Sequence, residues 1–293
     1  MIRRNVLRLL LSASLAARLT AAAAPANPLD AAPSSWAVFD GMKVHYKSLG
    51  AGTTALVFVH GWTCDLTFFR NQAPAFDGKI RMLLLDLPGH GKSDKPEIAY
   101  TMDLFAHAVD TVLESAGVTK AILVGHSMGT PVARQFYRFH PEKTLGIIAL
   151  DGMLRLDMKP EQISSFLARY DGPDWRAYQL KAIESMFSPA TTPALREKIL
   201  TTMTAAPHVV VAGAMKGLFD PGVWKEDPIA VPVLALYARS PFWSAEYEAA
   251  VRKLAPKIQF VYIEGAGHFL QMEKPAEVNA ALSAFLKKNR WIS

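Results

Sequence analysis

Residues 121–139 read AILVGHSMGTPVARQFYRF. Four apolar residues run into a glycine, and a stretch able to sustain a helix begins three residues later. Within it, Gly125-His126-Ser127-Met128-Gly129 fits G-x-S-x-G, a pattern that arises by chance in roughly one of ten chains of this length and composition. The flanks therefore carry the information. A buried strand before the motif and a helix after it are the setting in which two glycines let the backbone turn sharply and present a serine hydroxyl at the strand's end. The helix that starts behind Ser127 adds the positive end of its dipole.

Working outward, ALVFVHG (55–61), RMLLLDLPGHG (81–91) and GIIALDG (146–152) are also nearly continuous apolar runs. Such runs suit strands buried on both faces of a parallel sheet. In TMDLFAHAVDTVLESAG (101–117), Leu104, Phe105, Ala108, Val112 and Ala116 recur every three or four residues, and Gly117 ends the segment. Strand and helix in alternation predict a doubly wound, mostly parallel α/β sheet. VPVLALY (231–237) and IQFVYIEGAGHF (258–269) resume the strand pattern near the end, and a last helix is expected from Pro275 to Lys287.

Between these halves the alternation stops. Residues 152–227 are helical in pattern, rich in bulky groups and punctuated by prolines. They predict an inserted helical cap on a core made of residues 27–151 and 228–293. Most of the cap's aromatic residues are expected to pack its own interior. Trp175, Phe219 and Trp224 are expected to face the cleft with His126, giving a wall suited to an apolar substrate moiety.

The first residues follow different rules. MIRRNVLRLLLSASLAARLTAAAAPA opens with a basic cluster, continues through a short apolar stretch and ends in small residues around Ala24-Pro25-Ala26. That layout predicts a secretory signal peptide over residues 1–26, with Arg3-Arg4 suggesting the twin-arginine type, and hence an exported protein, periplasmic or secreted. A membrane span would need ~20 apolar residues, and Arg8 and Arg18 interrupt this one. The leader holds four arginines and no acid, so its removal takes the formal charge from +6 to +2. The remainder has no basic stripe to recommend a nucleic-acid partner. Cys64 is the sole cysteine, which excludes an internal disulfide. Neither H-x-H nor H-E-x-x-H spacing occurs, so no metal and no cofactor are expected. Oligomeric state leaves no mark in the sequence.

His60-Gly61-Trp62 closes the first of the apolar runs. A glycine there lets the loop pass near the serine, and the backbone N–H groups of Trp62 and Met128 could together bind an oxyanion. HGW, DLPGHGKSD (86–94), GHSMG and GAGHF (265–269), in this order, resemble the α/β-hydrolase superfamily, close to its capped, esterase-like members, from about residue 36 to the C-terminus. The resemblance implies Ser127 as nucleophile and His268, in the glycine-rich loop after the last strand, as base.

It also implies an acid after VPVLALY, near Ser240 and Pro241, and VLALYARSPFW (233–243) has none. In some members, such as haloalkane dehalogenases, the acid lies one strand earlier. Asp151 stands at that address, and Ser127, Asp151, His268 keeps the family's chain order. Asp151 could instead cap a helix, as Asp often does; Glu246 and Glu248 are the next candidates. The implied activity is a serine hydrolase acting through an acyl-enzyme on a small ester or lactone with an apolar part. Dehalogenases and epoxide hydrolases of this superfamily use an aspartate where this chain has serine. Two alternatives stay open: a cofactor-free haloperoxidase or carbon–carbon hydrolase using the same three residues, and a non-catalytic ligand-binding protein on a hydrolase scaffold.

Overall fold

The computed structural model describes residues 26–293, so the expected leader falls outside it but for its last residue. A short helix α1 (Pro28–Ala31) precedes strands β1 (Ser35–Phe39), β2 (Met42–Leu49) and β3 (Thr54–Val59). Helix α2 (Ala73–Phe76), β4 (Arg81–Leu85), α3 (Met102–Ser115), β5 (Lys120–His126), α4 (Gly129–Phe139) and β6 (Thr144–Leu150) follow. Four helices come next: α5 (Pro160–Asp171), α6 (Trp175–Ser185), α7 (Pro193–Thr204) and α8 (His208–Leu218). The chain ends with β7 (Val233–Ala238), α9 (Ala245–Leu254), β8 (Ile258–Ile263), α10 (Leu270–Glu273) and α11 (Pro275–Lys288).

One eight-stranded sheet runs β1-β2-β4-β3-β5-β6-β7-β8. From β4 to β8 all neighbours are parallel, and β1 and β2 join antiparallel at one edge. The continuous apolar runs are explained by helices on both faces. Val57, Leu83, Leu123 and Ile147 point toward Phe105 and Val109 of α3 and Val132 and Phe136 of α4. Their sequence neighbours Leu56, Leu84, Ile122 and Ile148 point the other way, toward Val278, Leu282 and Phe285 of α11. No strand between β3 and β7 needs a polar face, so none alternates.

The β1–β2 hairpin was not among the expected elements. Asp40 and Gly41, both at positive φ (47° and 78°), form its two-residue turn, with Phe39 opposite Met42. Asp-Gly between alternating residues is a strong local hairpin signal, and SWAVFDGMKVHY carries it.

Helices α5 to α8 are inserted between β6 and β7 and lie against the strand ends. Arg134 of α4, 2% exposed, fixes where this insertion leaves and rejoins the core. It donates to the Leu154 carbonyl (2.6 Å) on one side, and on the other to the Lys225 carbonyl and to both the carbonyl and the carboxylate of Asp227. The Trp62 indole adds a tie, donating to the Val211 carbonyl of α8 at 2.9 Å.

Candidate active site

Ser127 sits one residue past β5 at φ +52°, a left-handed conformation that costs a non-glycine residue of order 1 kcal/mol or more. The fold enforces it through close packing. A Cβ on Gly129 would stand 2.1 Å from the Val59 carbonyl oxygen, and one on Gly61 would meet Ser127 Cβ at 3.0 Å. Only glycines allow α4 to begin this close to β3 and the 60–62 loop to pass beside the serine. The Ser127 amide donates to the Leu150 carbonyl at 3.0 Å, tying the turn to the end of β6.

Asp151 follows directly, also left-handed at φ +46°. Its Oδ2 receives the His268 Nδ1–H at 2.7 Å. Its Oδ1 accepts the Ala238 backbone N–H (2.9 Å) and the Trp243 indole N–H (3.0 Å). Three donors hold one largely buried carboxylate. With Nδ1–H committed to Asp151, the tautomer leaves His268 Nε2 without a proton and able to take one. The helix-cap alternative for Asp151 does not describe these contacts. Glu246 stands exposed in the first turn of α9, and Glu248 accepts from the Tyr262 hydroxyl and pairs with Arg252.

Ser127, His268, His126, Gly61 and Trp62 line one narrow cleft. Neither the Trp62 nor the Met128 backbone N–H has an acceptor among the described residues, and Met128 is the N-cap of α4. His126 donates from Nε2 to the His268 carbonyl at 2.9 Å, so it steers the loop that carries His268. Burial, and then the nearby His268, hold its pKa well below the ordinary range, and the ring is neutral. His60 and His90 are likewise buried. His60 Nε2 accepts the Leu87 N–H, fastening the 60–62 loop to the end of β4.

The insertion reaches the cleft through Met186 and Met203. The three expected aromatic residues lie elsewhere. Trp175 stacks on His208 at 4.5 Å, Phe219 packs edge-on against Phe166, and the Trp224 indole donates to the Leu218 carbonyl. Each therefore serves the packing of the insertion, and the sequence-based expectation for them is corrected. The His268 loop is bonded to the insertion as well: the His268 amide donates to the Met186 carbonyl at 3.1 Å. Glu273 accepts from the Gly267 amide and from the Ser188 and Thr191 hydroxyls.

A serine in a strained turn, a histidine oriented by a carboxylate, and two unengaged amides are the parts that acyl transfer needs. A family model described as alpha/beta hydrolase matches residues 56–281. The chain belongs to the alpha/beta hydrolase family. Mouse epoxide hydrolase 4 is 27% identical over 281 residues, spanning 85% of this chain and 77% of its own. Among solved structures, a thermophilic esterase from Thermogutta terrifontis superposes with a TM-score of 0.78 at 26% identity, covering 88% of this chain and 99% of that one. Est816, described as an N-acyl homoserine lactone degrading enzyme, gives 0.72 at 26% identity over 86% and 100% of the two chains. Alpha/beta hydrolases place their sites at the carboxyl ends of parallel strands, and here Ser127, Asp151 and His268 all follow such ends.

Proposed function

We propose that this alpha/beta hydrolase is a serine hydrolase that cleaves a carboxylic ester or lactone through an acyl-enzyme. The observation that carries this reading is the 2.7 Å contact of Asp151 Oδ2 with Nδ1 of His268, the histidine that lines one cleft with Ser127. Ser127 Oγ attacks the carbonyl carbon as its proton passes to His268 Nε2, and the Trp62 and Met128 amides receive the oxyanion. His268 returns the proton to the departing alkoxide. Water, activated by the same nitrogen, then releases the acid and regenerates Ser127. Trp62, Cys64, Met186, Met203 and Phe269 around the reacting group support an apolar segment next to the carbonyl. Serine at position 127 favours this chemistry over that of epoxide hydrolases, for which the superfamily resemblance implies an aspartate nucleophile.

A fluorophosphonate probe tests the reading. Stoichiometric labelling of the protein, absent in Ser127→Ala, is expected along with hydrolysis of p-nitrophenyl esters. Equal labelling and turnover in Ser127→Ala would remove Ser127 as nucleophile. Export belongs to the same proposal: the mature chain is expected to begin near Asn27, and N-terminal sequencing of the material outside the cytoplasm checks it.

A further inference from the structure

His126 stands directly before Ser127 and is fully buried, yet one of its ring nitrogens is unpaired. Its Nε2–H is committed to the His268 carbonyl at 2.9 Å. Burial, and then the nearby His268, keep the ring neutral. A neutral imidazole carries a single ring proton, so Nδ1 is a bare acceptor. It has no hydrogen-bond partner among the described residues. Leaving a buried acceptor orphaned is costly, and a group in that state calls for a reason.

That nitrogen borders the reacting serine. A Cβ on Gly61 would meet Ser127 Cβ at 3.0 Å and His126 Nδ1 at 3.1 Å, so the glycine leaves open a gap on which both side chains border. His126, Ser127 and His268 supply the polar side chains of the cleft, against Trp62, Cys64, Met186, Met203 and Phe269. The cleft has a volume of about 10 Å³, room for about one water. A water between apolar walls needs about two to four polar partners. A hydroxyl and the bare nitrogens of His126 and His268 are what this cleft offers.

We infer that His126 Nδ1 positions the hydrolytic water of the deacylation step. The inference rests on the serine-hydrolase reading and adds a positioning residue to it. The water gives one hydrogen bond to His268 Nε2 and the other to His126 Nδ1, which leaves an oxygen lone pair for the acyl carbon on Ser127. As the new C–O bond forms, one proton passes to His268 Nε2. As the tetrahedral intermediate collapses, the C–Oγ electron pair returns to Ser127 with that proton, and the second hydrogen leaves on the carboxylic acid. Water therefore has two anchors. An alcohol has a single O–H, spends it on His268 and gains nothing from His126.

Methanol provides the test. With p-nitrophenyl acetate as substrate and methanol present, the acetyl-enzyme partitions between acetate and methyl acetate. Misplacing His268 slows both nucleophiles alike and leaves their ratio unchanged. His126→Gln keeps an N–H for the His268 carbonyl and has no acceptor where Nδ1 stood; His126→Asn offers an oxygen there and is too short for the carbonyl. The ratio of methyl acetate to acetate is expected to rise about fivefold in His126→Gln, the scale of one neutral hydrogen bond. In His126→Asn it should stay near wild type while both products form more slowly. An unchanged ratio in His126→Gln, or the same rise in both variants, overturns the inference and leaves the serine hydrolase intact. If the variants do not fold, a crystal structure of the wild-type protein decides. An ordered water within hydrogen-bond distance of His126 Nδ1 and His268 Nε2 supports the inference, and a cleft without one overturns it. Absence of any p-nitrophenol release by the wild type would sink the hydrolase reading itself, and the inference with it.

Discussion

The Trp243 indole donates its N–H to Asp151 Oδ1 at 3.0 Å, from the loop where alpha/beta hydrolases commonly carry the acid itself. The loop after β7 thus contributes to the carboxylate without supplying it. Trp243 also stacks on Tyr237 at 3.9 Å and 16°, so its ring is fixed independently of that bond. Trp243→Phe keeps the stacking and removes the donor. A hydrogen bond to a charged group contributes about 1.5–3 kcal/mol, and a fall in kcat of about tenfold or more with little change in KM is expected. The NMR resonance of the His268 Nδ1 proton should broaden as Asp151 loosens. A kcat equal to wild type would show that the Ala238 amide suffices.

Asp151→Asn should retain the fold and lower turnover by about 10⁴, because an amide in that place favours the wrong imidazole tautomer. Glu246→Gln and Glu248→Gln should change turnover little, since neither meets His268. Steady-state kinetics on the three purified variants checks this, and full activity in Asp151→Asn would mean that another group orients the base.

Buried histidines make stability depend on pH. Burial, reinforced by His60, takes His90 down to about 3, and burial also lowers His60 and His126. In the unfolded chain these rings take up protons near pH 6.5, whereas in the folded protein they do so only at lower pH. Their contribution is therefore complete above about pH 6.5 and is lost as the pH falls toward the folded values. Each histidine removes about 1.4 kcal/mol per pH unit within that window. Urea unfolding should show a marked drop in midpoint between pH 7 and pH 5. An unchanged midpoint would contradict the neutral burial of these rings.

Arg134 meets both ends of the inserted helices, so Arg134→Met should leave the Leu154 and Asp227 carbonyls without their side-chain donor, while the Lys225 carbonyl keeps Arg138. Each stranded group costs about 1–3 kcal/mol, and a destabilisation of roughly 3–5 kcal/mol is expected. Limited proteolysis should then cut first near residues 152–158 or 225–230. Cleavage kinetics matching wild type would show that the ends are held by other contacts.

Legibility in the sequence followed the range of the interactions. Ser127, His268 and the strands around them announced themselves through local signals: glycines at fixed offsets and apolar runs ending in loops. Asp151 is reached through chain order, which limits where an acid can stand. The β1–β2 hairpin carries the local signal Asp40-Gly41, but its half-exposed edge strand β1 has none of the continuous apolar runs that mark the inner strands. Met186 and Met203 left no such trace. Which side of a helix meets a distant cleft depends on how four helices pack together, and large aromatic residues are as well suited to the interior of that packing as to a pocket wall. Trp243 was hidden for the same reason, since its partner lies 92 residues away.

The bonds from Glu273 to Gly267, Ser188 and Thr191, with that from the His268 amide to Met186, have a mechanical meaning. They join the 186–191 segment and the loop that carries His268 into one hydrogen-bonded unit. A change that loosens the segment is therefore expected to loosen the seating of His268 beside Asp151 as well.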